Sequence, residues 1–206
     1  MKALQFITHQ NKRYSYLSGA SLALEGGCKW IQLRMKGATK EEILKVGSPL
    51  RELCTKYRAT MIIDDHVELV KLLRADGVHL GQKDMPITNA REILGEDIII
   101  GGTANTLEEI RELHRSGADY VGCGPFRFTT TKEHLAPTLG LVGYQRLLTA
   151  MKEERINLPL VAIGGITGVD IRPLMELGIS GIALSSTVLN AADPTREVKK
   201  ILNEIK

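Results

Sequence analysis

A chain of 206 residues, 43% of them hydrophobic and 25% charged, has the make-up of an ordinary globule and enough length to bury one core. Its formal charge of +3 is spread evenly, which excludes the basic tracts expected of a nucleic-acid or membrane-surface binder. No apolar leader follows Met1-Lys2, no run reaches the length of a membrane span, and Cys28, Cys54 and Cys123 show no CxxC spacing. A cytoplasmic protein with buried free thiols is expected, rather than a disulfide framework or a zinc site.

Along the chain, short apolar runs alternate with helical segments. Ala3 to Thr8 suits a buried strand, and a helix follows over about Tyr14 to Gly26. Trp30 to Arg34 reads as the second strand. Thr39-Lys40-Glu41-Glu42 has the form of a capping box and opens a helix to Tyr57. Met61 to Asp65 is the third strand, Val67 to Arg74 a helix, and Gly77 to Gly81 the fourth strand. A short helix around Ala90 to Leu94 leads into a strand from Ile98 to Thr103. Thr106-Leu107-Glu108-Glu109 is a second capping box, starting a helix that stops near Gly117. Tyr120 to Gly124 is the sixth strand, and a polar loop runs from Pro125 to Leu139. Leu141 to Glu154 is helical, Pro159 to Gly165 the seventh strand, Val169 to Leu177 a helix, and Gly181 to Ser186 the eighth strand. Asp193-Pro194 supplies an N-cap with Pro at N1 for a closing helix to Ile205. Eight strands alternating with helices, without a linker, predict one domain over 1–206, a (β/α)8 TIM barrel. A doubly wound open sheet fits less well, because the first strand carries no GxGxxG turn.

In such a barrel the site lies at the C-terminal ends of the strands. Residues placed there are Gln32, Arg34 and Lys36, then Asp64, Asp65, Asp84 and Thr103, then Thr129, Thr130, Thr131 and Lys132, and finally Gly164, Gly165, Ser185 and Ser186. Strand, helix and strand from Met61 to Asp84 form one βαβ unit, so Asp65 and Asp84 project into one cleft. Two carboxylates converging without a nearby Arg raise each other's pKa, and Mg²⁺ relieves the repulsion. The competing reading is that Asp64 and Asp65 cap the following helix. Gly164-Gly165 with Ser185-Ser186 reads as a phosphate site, and otherwise as a tight turn needing positive φ. Arg34, Lys36 and Lys132 with Asp65 and Asp84 suit a diphosphate bridged by Mg²⁺. His66 at a helix start reads as a solvated residue, His79 as packed in the barrel wall and Cys123 as core. No Ser-His-Asp set assembles. The loop from Pro125 to Leu139 is long enough to act as a lid carrying Lys132.

These motifs, in this order, resemble the thiamine phosphate synthase family, which also includes the thiazole tautomerase. The resemblance rests on Gln32-Leu33-Arg34-Met35-Lys36, Asp64-Asp65 before Val67-Glu68-Leu69, His79-Leu80-Gly81-Gln82-Lys83-Asp84 and Gly101-Gly102-Thr103-Ala104. It continues through Gly122-Cys123-Gly124-Pro125-Phe126, Thr129-Thr130-Thr131-Lys132, Ala162-Ile163-Gly164-Gly165-Ile166 and Ser185-Ser186. It implies a Mg²⁺-dependent transferase of thiamine biosynthesis with small-molecule substrates. A thiazole phosphate nitrogen attacks the methylene of a hydroxymethylpyrimidine diphosphate, through a pyrimidine carbocation, and diphosphate leaves. By position, Gln32, Arg34, Lys36, Asp64, Thr103 and Lys132 would hold the pyrimidine diphosphate, with Arg34, Lys36 and Lys132 catalytic. Asp65 and Asp84 would bind Mg²⁺. Thr129, Thr131, Gly165, Ser185 and Ser186 would hold the thiazole phosphate. Asp64 stands where the family usually has Asn, His66 where a second Asp is common, Met35 for Glu and Thr103 for Ser. A homo-oligomer stays open. The alternatives are a tautomerase, a binding-only paralogue and a generic sugar-phosphate barrel. The first typically carries a His where this chain has Pro125.

Overall fold

The computed structural model describes residues 3–128 and 138–206. Its eight strands are β1 (Ala3–Ile7), β2 (Trp30–Leu33), β3 (Thr60–Asp64), β4 (Gly77–Leu80), β5 (Ile99–Ala104), β6 (Tyr120–Cys123), β7 (Leu160–Ile163) and β8 (Gly181–Leu184). All pair in parallel and in chain order, and β1 closes on β8 through Phe6 opposite Leu184. The expected closed barrel is therefore the observed one. Side chains alternate across each strand, so one set faces the helices and the other fills the barrel. Phe6, Ile31, Leu33, Ile63 and Leu184 belong to the larger core under the helices. Ile7, Tyr120, Val161 and Ala183, with Trp30, Ile99 and Ile163, form a second cluster inside the barrel.

The helices are α1 (Tyr16–Glu25), α2 (Lys40–Tyr57), α3 (Val67–Leu73), α4 (Ile87–Leu94), α5 (Leu107–Arg115), α6 (Gly140–Glu153), α7 (Gly168–Glu176), α8 (Ser186–Leu189) and α9 (Pro194–Ile205). Both expected capping boxes are present, Thr39 with Glu42 and Thr106 with Glu109. Asp193 accepts from the Arg196 N–H ahead of α9, with Pro194 at N1. Several boundaries move by one or two residues, and two differences have a local cause. Helix α4 starts at Ile87 rather than Ala90, after a Pro86 N-cap that makes no side-chain bond. Ser186 opens the four-residue α8 instead of ending β8, a helix too short to show any apolar period. Cys28, Cys54 and Cys123 are buried and free, as expected. Among the described residues, no helix is long and apolar enough to cross a membrane.

Candidate active site at the mouth of the barrel

The ends of β2, β3 and β4 bring the acidic residues together. The Gln32 side-chain amide donates to Asp64 Oδ1 at 2.5 Å. Arg34 Nε lies 3.2 Å from Asp64 Oδ2. Arg34 itself is fixed through its backbone: its N–H donates to Thr8 Oγ1 at 2.9 Å, and its carbonyl accepts from the same hydroxyl at 3.2 Å. Burial, and then the neighbouring Asp65, push the Asp64 carboxyl up to about 7, while Arg34 and Gln32 pull it back. The sequence reading put Arg34 in the same site as Asp65 and Asp84 but did not pair it with Asp64; β2 and β3 are adjacent strands, which brings those two side chains together at one edge.

Asp65 sits just beyond β3 with φ 68°, a backbone conformation that is rare outside glycine. Its N–H donates to the His79 carbonyl at 2.9 Å. Its carboxyl neighbours that of Asp84, whose Oδ2 accepts from the Gly81 N–H at 2.6 Å. Burial first, and Asp84 second, push Asp65 up to about 6. The N-cap of α3 is His66, which makes no side-chain cap bond, so the helix-cap reading of Asp64 and Asp65 falls. His66 Nδ1 lies 3.5 Å from Glu68 Oε1. Lys36, Gly37, Asp64, Asp65 and His66 line one small cleft.

No group of three or more His, Cys, Asp or Glu among the described residues is arranged to hold a metal ion. Asp65 and Asp84 offer two neighbouring carboxyls. That donor set suits Mg²⁺, which commonly takes one or two carboxylates and completes its octahedron with water and substrate phosphate.

A second polar group fills the barrel between the mouth and the apolar cluster. His79 Nε2 lies 2.9 Å from Thr103 Oγ1, and its Nδ1 lies 3.0 Å from the Tyr120 hydroxyl. Gln5 donates to the same hydroxyl at 3.2 Å. His79 is packed within β4 as expected, and period-two alternation turns its ring into the barrel, against Tyr120 and Thr103.

At the other side of the mouth, Gly164 and Gly165 adopt φ 95° and 68°. A Cβ on Gly165 would lie 2.8 Å from the Arg127 carbonyl and 3.0 Å from that of Phe128. The glycine pair thus serves a tight turn and admits the chain leaving β6. Ser185 Oγ, beside it at the start of α8, is buried and has no hydrogen-bond partner among the described residues. Thr187 Oγ1 donates to the Ile166 carbonyl at 2.6 Å, tying α8 to the glycine turn. Thr129, Thr130, Thr131 and Lys132, and with them most of the expected lid, lie outside the described residues.

The sequence reading missed one part of this region. Arg127 donates two bonds of 2.9 Å to the Asp170 carboxylate and a third, of 2.8 Å, to the Gly165 carbonyl. Asp170 also accepts from the Thr167 N–H and hydroxyl, at 2.8 and 2.7 Å. Arg127, ahead of the Thr167 contacts, holds that carboxyl down to about 2. The spacing Thr167-x-x-Asp170 is a visible helix-start signature. The pairing of Arg127 with a residue 43 positions away has no local signal.

The fold and its mouth are those of a (β/α)8-barrel enzyme, with charged and hydroxyl side chains gathered at the C-terminal ends of the strands. Residues 4–188 match the family model of thiamine monophosphate synthase. The chain is 60% identical over 203 residues to a thiamine-phosphate synthase of Bacteroides thetaiotaomicron, covering 98% of this chain and 97% of that one. It is 47% identical over 201 residues to one from Flavobacterium johnsoniae, covering 98% and 94%. The structure superposes on thiamine phosphate pyrophosphorylase from Pyrococcus furiosus with a TM-score of 0.87, at 35% identity and with 98% and 95% of the chains covered. The chain belongs to the thiamine monophosphate synthase family.

Proposed function

We infer that the protein is a thiamine phosphate synthase, a transferase that joins a hydroxymethylpyrimidine diphosphate to a thiazole phosphate and releases diphosphate. The observation that carries this is 60% identity, over nearly the full length of both chains, to a thiamine-phosphate synthase. Nothing favours the tautomerase, the binding-only paralogue or a generic sugar-phosphate barrel.

Roles for the residues follow from where they stand. Asp65 and Asp84 would hold Mg²⁺, supported by their neighbouring carboxyls and by the burial that makes two negative charges there costly. Bound there, the metal would neutralise charge on the departing diphosphate. Gln32, Asp64 and Thr103 face one side of the mouth and would orient the pyrimidine, Thr103 being held from below by His79. Arg34 and Lys36 would contact the diphosphate where negative charge builds as the carbon–oxygen bond breaks. Lys132 joins them on the strength of the sequence resemblance. Gly165, Ser185 and Ser186 would receive the thiazole phosphate, supported by the positive-φ turn and by a buried Ser185 hydroxyl with no partner among the described residues. Thr129 and Thr131 belong to this set by resemblance alone. A cytoplasmic setting suits three buried free thiols. The test is to incubate the protein with both substrates and Mg²⁺ and to quantify thiamine phosphate and diphosphate by chromatography. Absence of product over many enzyme equivalents overturns the reading.

A further inference from the structure

We propose that Arg127 and Asp170 form a positioning clamp that sets the Gly164-Gly165 turn for the phosphate of the second substrate; this rests on the assignment of that phosphate to Gly165, Ser185 and Ser186. Three hydrogen bonds converge on the turn and the residue before it. The Phe126 N–H donates to the Ile163 carbonyl and the Arg127 N–H to the Gly164 carbonyl, both at 2.9 Å. The Arg127 guanidinium then bonds the Gly165 carbonyl and grips both oxygens of Asp170. Asp170 in turn closes the first turn of α7 through Thr167. One guanidinium thus links the chain leaving β6, the turn after β7 and the start of α7.

The fork geometry matters here. A planar guanidinium paired with a carboxylate through two parallel bonds has one relative orientation, which a lysine ammonium does not impose. Arg127 also lies over the Phe126 ring, 5.0 Å from its centroid, which fixes the plane of the fork. Asp170 is buried and Arg127 half exposed, so the carboxylate is the rigid member. Backbone N–H groups bind an anion well only when the carbonyls of the same turn are held away from it. Fixing the Gly164 and Gly165 carbonyls onto Arg127 does that. The pair touches no reacting atom, so its effect belongs in the affinity for the thiazole phosphate.

The test is steady-state kinetics on Arg127→Met, Arg127→Lys, Asp170→Asn and the Arg127→Met/Asp170→Asn double variant, with Ser186→Ala as the control for the phosphate site. Arg127→Met and Asp170→Asn should each raise KM for the thiazole phosphate about tenfold, the scale of one charge-assisted hydrogen bond. KM for the pyrimidine diphosphate and kcat at saturation should hold within about twofold, since uniform binding is what is lost. The double variant should be no worse than either single one, because both break the same link. Arg127→Lys should recover only part of the loss. Inorganic phosphate, competing with the thiazole phosphate, should inhibit each variant more weakly by the same factor. Arg127→Met keeps the Thr167–Asp170 cap, so a general loss of folding does not explain its effect. Equal rises in both KM values, additive losses or unchanged kinetics would each overturn the clamp. If Ser186→Ala raises KM while the clamp variants do not, the phosphate site stands and the clamp fails. If the clamp variants raise it and Ser186→Ala does not, Ser186 is no phosphate ligand and the clamp on the glycine turn stands.

Discussion

Asp64 offers one carboxylate oxygen to the Gln32 amide as a hydrogen-bond acceptor and the other to Arg34 Nε, 3.2 Å away, as an ion pair. An asparagine can serve only one of these two donors, because its amide nitrogen is itself a donor. The family resemblance places Asn at this position, and the structure shows what the extra charge does: it engages Arg34. Asp64→Asn should therefore release the guanidinium towards the diphosphate and lower KM for the pyrimidine diphosphate by up to about tenfold, the worth of one charge-assisted contact. Initial rates at varied pyrimidine diphosphate check this, and an unchanged or raised KM would show that Asp64 aims Arg34 rather than competing for it. For Asp65 and Asp84 the prediction concerns the metal. Activity should be lost on chelation and restored by Mg²⁺, and Asp84→Asn should raise the Mg²⁺ needed for half-maximal rate by tenfold or more, as loss of one of two carboxylates implies. Full turnover in EDTA would end that assignment. At this scale the sequence showed that Gln32, Arg34, Asp64 and Thr103 gather at the strand ends, because period-two alternation fixes that much. It did not show that Arg34 is already paired, which depends on two strands meeting.

The elements were read most surely where chemistry announces them. Thr39 and Glu42, Thr106 and Glu109, and Asp193 with Pro194 mark helix starts by satisfying N–H groups that have no partner inside the helix. Pro86 ahead of α4 offers no such side chain, and α8 has only four residues, so neither start left a local signature. The start of α7 carries a pH dependence. Arg127, ahead of the Thr167 contacts, holds the Asp170 carboxyl down to about 2, below its ordinary range. A carboxyl lowered in the folded state stabilises above its unfolded pKa near 4, and that contribution fades as pH falls from there through 2. The full shift corresponds to roughly 2 kcal/mol, cut to about 1 kcal/mol because Arg127 is half exposed. Asp170→Asn should lower Tm at neutral pH by about 2–4 °C, on the scale of a chain of this size. The gap to wild type should narrow steadily from pH 4 towards pH 2. A gap independent of pH would mean that the bond to Arg127 contributes nothing beyond shape.

For the whole molecule, eight alternating runs were enough to predict closure, since a parallel sheet must bury both faces and β1 meets β8 when it curls. What fills the barrel was harder to foresee. Its lower half is apolar, and its middle holds the His79, Tyr120 and Gln5 group, so the Tyr120 ring must be matched by missing side chains on neighbouring strands. Gly101, on β5 beside Tyr120, supplies that space: a Cβ there would come within 2.1 Å of the Tyr120 ring. In the sequence the glycine looks like part of a strand-end motif, and only the cross-strand register reveals it as a packing position. Gly101→Ala should therefore displace Tyr120, break its bonds to His79 and Gln5, and loosen Thr103 at the mouth. Overpacking of this kind with loss of buried hydrogen bonds should cost at least ~3 kcal/mol, visible as a lower urea midpoint. Tyr120→Phe keeps the ring and removes only the shared hydroxyl, so it should cost less, about 1–3 kcal/mol. Adding Tyr120→Leu to Gly101→Ala removes the atoms that collide and should recover part of the loss, although the leucine cannot restore the bonds to His79. Urea titrations of the four proteins separate the two contributions. If Gly101→Ala unfolds within about 0.5 kcal/mol of wild type, the range of an ordinary surface change, Tyr120 is not confined as described and the interior has room that this packing denies.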